Sequence, residues 1–146
     1  MANYIYGEVG GSGQTVSFKP ETISGYVQMT ETRPTKWYSG KSDGTWEFDA
    51  DRYNSALLYK LKQTYNNYLL ERVDNQFFTV ITTVKGNSTG TTKSGDVFQW
   101  TQDLRDDYNQ RVSDIEANVS ETYISDEDFS NNGEPPYTYD ECLGEL

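Results

Sequence analysis

Hydrophobic and polar residues alternate in the first third of the chain and recur every three or four residues after it. Short alternating runs lie at residues 4–6, 15–18 and 26–29, and glycine clusters separate them. A period of two is typical of strands with one buried face, so we predict a small antiparallel sheet. Residues 37–48 contain an Asp43-Gly44 step between aromatic runs, and this step tolerates the positive φ of a hairpin turn.

The hydrophobic period changes near Asp49. Asp49 or Asp51 can cap a helix start, and the following apolar residues recur at three- and four-residue spacings. The pattern predicts a helix of about six turns that ends near Val73. The residues on its apolar face are Leu58, Leu61, Tyr65, Tyr68 and Leu69.

A β-branched and aromatic run over residues 76–84 has the composition of a strand, and a loop is predicted over residues 85–92. A second helix is expected from Ser94 or Asp96, because Gln99 follows Asp96 as in a capping box. Its apolar residues nearly match a heptad seam, which can pack on the first helix or on copies of itself. They are Val97, Trp100, Leu104, Tyr108, Val112, Ile115 and Val119.

These elements predict an α+β fold with three parts. A small antiparallel β-rich region occupies residues 1–48, and two long helices separated by a β segment occupy residues 49–120. Residues 121–146 have the polar, proline-interrupted composition of an extended acidic arm, which we expect to be ordered only when a partner binds it.

The charge of the chain is concentrated in that arm. The net charge is −11, and residues 121–146 hold eight acidic residues and no Lys or Arg. Direct binding to nucleic acid needs clustered basic residues, so we expect none. No stretch approaches the roughly 18 apolar residues of a membrane span, and the start of the chain lacks a secretory signal, so no membrane association is expected.

The chain offers little catalytic chemistry. It has no histidine and one cysteine, Cys142, which excludes an internal disulfide and a cysteine metal site. Asp49 with Asp51, and the acids at 103, 106 and 107, could act as acid and base or hold Mg²⁺, but such spacings usually form the solvated face of a helix. We therefore predict a protein that is not an enzyme and uses no cofactor or metal.

The aromatic content points to binding. Aromatic residues make up 14% of the chain, with 12 tyrosines, whose rings suit protein interfaces. We predict three contact surfaces: the Trp37 hairpin, the seam of the second helix and the acidic arm. Charged replacements of seam residues should abolish assembly. The predicted partner-binding residues are Trp37, Tyr38, Tyr65, Tyr68, Leu104, Tyr108, Ile115, Asp126 and Asp128.

The runs Met29-Thr30-Glu31-Thr32-Arg33-Pro34 and Ser42-Asp43-Gly44-Thr45-Trp46 resemble a phrase found in bacteriophage tail fibre assembly proteins and small tail-associated structural proteins. The resemblance covers roughly residues 24–115. It implies a non-catalytic chaperone of fibre trimerisation or a minor tail or baseplate component. The implied partners are other tail or fibre proteins and further copies of the chain, in the virion or in the host cytoplasm during assembly. The acidic arm departs from the family and favours a virion component.

An acidic inhibitor that mimics nucleic acid, such as a phage anti-defence protein, is the alternative. Its support is the small size, the acidity and the lack of catalytic motifs. A mimic should space its carboxylates like phosphates, ~7 Å apart along a strand. The crowding of acids into one tail weighs against this alternative.

Overall fold

The computed structural model describes residues 3–87 and 92–146, and the fold is α+β as predicted. The chain divides into two compact units. Unit 1 extends to Ala56 and also includes Asn118–Tyr123, and unit 2 consists of Leu57–Ala117 and Ile124–Leu146.

A three-stranded antiparallel sheet forms the centre of unit 1, as the alternating pattern predicts. The strand order is β2-β1-β3, with Tyr6 of the central strand opposite Thr15 on one side and Gln28 on the other. The side chain of Tyr6 is buried, and its hydroxyl accepts a hydrogen bond from the backbone N–H of Glu21 at 2.7 Å. The strands are β1 (Tyr4–Glu8), β2 (Gln14–Ser17) and β3 (Tyr26–Gln28).

The predicted hairpin is also present, with strands β4 (Tyr38–Gly40) and β5 (Trp46–Phe48). Gly44 in its turn has φ +85, the left-handed conformation that glycine adopts without a steric penalty. The backbone N–H of Thr30 donates to the carbonyl of Gly44 at 2.9 Å, so the hairpin is fastened to the chain that leaves β3.

Two long helices follow and include the residues predicted for them except Val119, which lies beyond the end of the second helix. Helix α1 spans Ala50–Arg72, and the Asp49 carboxylate accepts the N–H of Arg52 at 3.1 Å, as expected of a cap. Helix α3 spans Lys93–Glu116, and its cap is Thr92, whose hydroxyl accepts the N–H of Gly95 at 2.9 Å. The prediction of Ser94 or Asp96 as the start was therefore late by a few residues.

The strand predicted over residues 76–84 is wrong, because this run lies in helix α2 (Asn75–Asn87). Its buried residues are spaced to cover one helical face, and the Asp74 carboxylate caps the helix by accepting the N–H of Phe77 at 2.8 Å. The predicted loop over 85–92 begins inside this helix, and residues 88–91 lie outside the described part of the chain. The buried residues are Phe77, Val80, Ile81 and Val84.

The acidic C-terminal segment packs on its own chain, which corrects the expectation that it needs a partner to be ordered. In unit 2 it runs irregularly to a 3₁₀ turn at Ser130–Asn132 and then forms helix α4 (Tyr139–Leu143), which contacts α2 and α3. Phe129 is only 1% exposed and Cys142 is fully buried. Large buried side chains supply the apolar area that holds the segment in place.

Candidate protein-binding surfaces

Strand β2 forms an open edge of the sheet in unit 1. The N–H of Glu8 donates to the carbonyl of Gly13 at 2.9 Å, on the β2 side of β1. Backbone N–H and C=O groups point to alternate sides along a strand. Those of Tyr6 therefore also point toward β2, whereas those of Ile5 point away from β2. Val16 lies opposite Ile5, so the N–H and C=O of Val16 point away from β1. Among the described residues, no strand pairs with that outer edge.

The side chains at this edge are exposed and include two large apolar groups. Val16 is 50% exposed and Phe18, directly after the strand, is 75% exposed. An exposed edge with apolar side chains is a template for another strand. Sequence reasoning assigned both residues to a strand but did not identify them as binding residues, since a single alternating run does not tell which strand lies at an edge.

The hairpin residues predicted to bind a partner, Trp37 and Tyr38, are half-buried in unit 1. The Trp37 ring meets the Tyr53 ring edge-on, with 5.5 Å between centroids. The Tyr38 hydroxyl donates to the Glu121 carboxylate at 2.8 Å, and this bond together with partial desolvation raises the pKa of Tyr38. Both side chains therefore already pack on groups of their own unit.

The tyrosines predicted to bind a partner in unit 2 belong to an intrachain aromatic cluster. The Tyr65 and Tyr108 rings stack with 4.3 Å between centroids, and burial raises the pKa of Tyr65. The Tyr68 ring lies near Trp100, and its hydroxyl donates to the carbonyl of Gly133 at 2.7 Å. These contacts join the two long helices to the C-terminal segment.

Leu104 and Ile115, also predicted as partner-binding residues, are core residues of unit 2. Both are 0% exposed within their own chain. Their place in the seam is explained by intrachain packing of α3, and a partner cannot reach them without opening the fold. Val119, the last residue of the predicted seam, lies beyond the end of α3 and is exposed.

Asp126 and Asp128 serve largely local roles in the C-terminal segment. The backbone carbonyl of Asp126 accepts a hydrogen bond from Nη1 of Arg111 at 2.9 Å. The Asp126 carboxylate lies 3.6 Å from the same nitrogen. The Asp128 carboxylate accepts the N–H of Ser130 at 2.9 Å, and hydrogen bonds from Ser130 lower the pKa of Asp128. Both side chains stay exposed, so a further contact is sterically open to them.

Two of the acids considered for catalysis, Asp49 and Asp107, have structural partners. Asp49 caps α1 and accepts the hydroxyl of Ser39 at 3.0 Å, and Asp107 accepts two hydrogen bonds from Arg111 at 2.9 and 3.0 Å. Within residues 3–87 and 92–146, no group of three or more His, Cys, Asp or Glu side chains is arranged to hold a metal ion.

The residues that carry the resemblance to phage tail proteins form a packed junction in unit 1. Met29 is buried, and the indole N–H of Trp46 donates to the carbonyl of Glu31 at 2.9 Å. The backbone N–H of Arg33 donates to the side-chain oxygen of Gln14 at 2.6 Å, beside the start of β2. The motif therefore positions the hairpin and the β1–β2 loop.

None of the helices in the described part of the chain is long and apolar enough to cross a membrane. Comparison with protein-family models, curated proteins and solved structures found no match.

Proposed function

We propose that this chain is a non-enzymatic bacteriophage tail-associated protein, either a minor virion component or a tail fibre assembly factor. It acts by binding other tail or fibre proteins and works as an oligomer. The motif residues around Met29 and Trp46 motivate the choice of family, and their role in the proposal is to hold the contact surface of unit 1 in shape.

The observation that carries the proposal is the open β2 edge. It combines outward backbone groups at Val16 with the exposed side chains of Val16 and Phe18. A partner strand that pairs there gains main-chain hydrogen bonds and buries both apolar groups, as in other strand-addition complexes.

The use of the arm's acids favours this proposal over a nucleic-acid mimic. Most of them contact groups of their own chain, and a mimic needs carboxylates free to face the target in regular rows. Glu121 bonds Tyr38, Glu127 pairs with Lys60, Glu134 pairs with Arg72, Glu141 pairs with Lys93, and Glu145 bonds Ser94.

Complementation of a phage lacking this gene tests the proposal. Wild-type protein supplied from a plasmid should restore fibre-bearing, infectious particles. Phe18→Ser should reduce the yield at least tenfold, because it removes an exposed apolar contact without disturbing the core. Val16→Pro should have the same effect, since it removes an outward N–H but no hydrogen bond of the β1–β2 ladder.

Tyr59→Ser is the matched control, because Tyr59 is an aromatic residue on α1 that is 67% exposed, close to the 75% of Phe18. It should complement like wild type, and all three variants should unfold at nearly the wild-type temperature. Normal fibres and infectivity without the gene would contradict the proposed function. Full complementation by both edge variants would contradict the proposed role of the β2 edge, but not the proposed function of the protein.

A further inference from the structure

A groove in unit 2 is not part of the proposed β2 contact surface. It has a volume of about 500 Å³ and lies between the end of α1, the start of α2 and residues 134–139 of the C-terminal segment. Its walls combine carboxylates with aromatic rings. The residues that define its chemistry are Glu71, Arg72, Asp74, Phe77, Tyr137 and Tyr139.

The one basic residue among the described lining residues, Arg72, already contacts groups of its own chain. Its Nε lies 3.1 Å from the Glu134 carboxylate, and its guanidinium carbon lies 3.6 Å from the centroid of the Tyr68 ring. Its Nη1 also donates to the carbonyl of Tyr68 at 3.1 Å. An incoming anion would have to break these contacts, so the groove is not suited to anions.

The carboxylates leave the groove with an excess of negative charge. Glu71, Asp74 and Glu134 face one arginine, which leaves a formal charge of −2 among the lining residues. Glu71 is only 3.7 Å from Arg72 Nη1 and stays mostly exposed. Asp74 uses its Oδ1 to cap α2, and its side chain is exposed.

The aromatic wall complements this charge. Phe77 and Tyr139 meet edge-on with 5.7 Å between centroids, and Tyr137 lies beside them in the groove. The ring of Tyr137 already attracts a cation, because Nζ of Lys93 lies 5.6 Å from its centroid. Aromatic faces next to carboxylates are the arrangement that recognises cationic side chains.

We propose that this groove binds an arginine or lysine side chain in a basic segment of a partner protein. The carboxylates of Glu71 and Asp74 pair with the cationic head group, and the rings of Tyr137 and Tyr139 contact its alkyl stem. The inference rests on the proposed function only in taking the occupant to be a protein, and the charge complementarity of the groove stands without it.

NMR titration of the full chain tests the proposal, with the peptide acetyl-Gly-Arg-Gly-amide as the probe. The same peptide with citrulline in place of arginine is the control, because citrulline has nearly the same shape and no charge. The arginine peptide should cause saturable shifts centred on Tyr137, Tyr139 and Glu71. The citrulline peptide should bind at least tenfold more weakly.

The double variant Glu71→Gln with Asp74→Asn separates binding from folding. Asparagine caps helices as well as aspartate does, so α2 should be retained and the dispersion of the spectrum should not change. The variant should lose at least tenfold in affinity for the arginine peptide.

Shifts that never saturate, spread over other acidic surfaces, or match those of the citrulline peptide would overturn the proposal. So would wild-type affinity in the double variant. Self-association through this groove, seen as concentration-dependent shifts of the same residues without peptide, would overturn it in favour of a second copy as occupant. Because the titration needs only the purified chain, its failure is distinguishable from a failure of the phage complementation.

Discussion

Arg111 joins helix α3 to the C-terminal segment through several contacts. Its side chain is only 11% exposed, forms a two-pronged pair with Asp107 and donates to the carbonyl of Asp126. Its guanidinium carbon also lies 4.0 Å from the centroid of the Phe129 ring. One planar group thus joins α3 to two points of the segment, and lysine cannot reproduce this geometry.

Replacing Arg111 with alanine should lower the free energy of unfolding by about 2 kcal/mol, because it leaves Asp107 partly buried without its cation. Urea unfolding followed by circular dichroism measures the change. Lys60→Ala is the control, since Lys60 pairs with Glu127 but is 70% exposed, and it should cost less than about 0.5 kcal/mol. Equal losses in both variants would contradict the assigned role of Arg111.

The pH dependence of the free energy of unfolding reports on the ion pair between Asp107 and Arg111. Burial raises the pKa of Asp107, but the hydrogen bonds from Arg111 and Asn132 and the charge of Arg111 outweigh it, so the pKa is lowered overall. A lowered pKa contributes stability that is fully present above the unfolded value of about 3.9 and is lost as the pH falls through the folded value.

Asp107→Asn should therefore lower stability at pH 7 and flatten the fall of stability below about pH 4. The measurement is the urea midpoint at fixed ionic strength from pH 7 to pH 2, for the variant and the wild type. Curves that remain parallel over this range would show that Asp107 does not contribute to the acid sensitivity.

At the level of elements, the strands and the two long helices were predicted from local pattern, whereas α2 was predicted as a strand. The run Phe77-Phe78-Thr79-Val80-Ile81 has strand composition, and both the helical spacing of its buried residues and the Asp74 cap were present in the sequence. Intrinsic preference is worth only fractions of a kcal/mol per residue, so burial against neighbouring helices overrides it. The contacts that decide this are long-range and cannot be derived from local pattern.

Thr83→Ala tests whether residues 75–87 are helical. Thr83 is exposed, and its hydroxyl bonds the carbonyl of Thr79 one turn earlier. Alanine is the better helix former by about 0.5 kcal/mol, so the variant should be slightly more stable. In a strand the same change would destabilise, since alanine disfavours strands. Chemical unfolding of the variant distinguishes the two cases by sign.

Replacing Gly7 by alanine tests the packing around β1 in unit 1, and the same replacement at Gly86 is the control. A Cβ on Gly7 would lie 2.7 Å from both Met29 Sδ and Trp46 Cη2, so Gly7→Ala should cost about 1–3 kcal/mol. Gly86 lies in α2, and among the described residues no atom outside its own stretch of helix lies within 4 Å of its Cβ position, so Gly86→Ala should instead add about 0.5–1 kcal/mol. A harmless Gly7→Ala would contradict the packed junction between the motif and β1.

At the level of the whole molecule, the sequence indicated an acidic arm but not its packing. The composition of residues 121–146 is that of a flexible segment, yet Phe129 and Cys142 are among the most buried residues of the chain. Two buried residues are too few to change the average hydrophobicity of the segment. Together with its ion pairs, they suffice to hold the segment in place. Leu104 and Ile115 show the same limit, because a heptad-like spacing fits an intrachain face as well as an oligomer seam.

Removal of residues 124–146 should therefore destabilise unit 2. It exposes the aromatic cluster around Trp100 and removes the contacts of α2 and α3 with α4. The truncated chain should bind a hydrophobic dye and lose its sharp thermal transition. In the intact chain, the backbone amide of Cys142, which donates to the carbonyl of Thr138, should be protected from hydrogen exchange without any partner. Full exchange within the dead time would contradict the packed segment.

The proposed role in phage assembly is best tested by quantitative mass spectrometry of particles purified from the phage that the proposal takes as the source of this chain. Wild-type particles should contain the chain in a fixed, symmetry-compatible ratio to the tail fibre protein, and particles made with Phe18→Ser should contain at least tenfold less of it. If the chain is an assembly factor that does not remain in the particle, particles made without it should lack fibres. Absence of the chain from wild-type particles, together with a full complement of fibres in particles made without it, would contradict the proposed function.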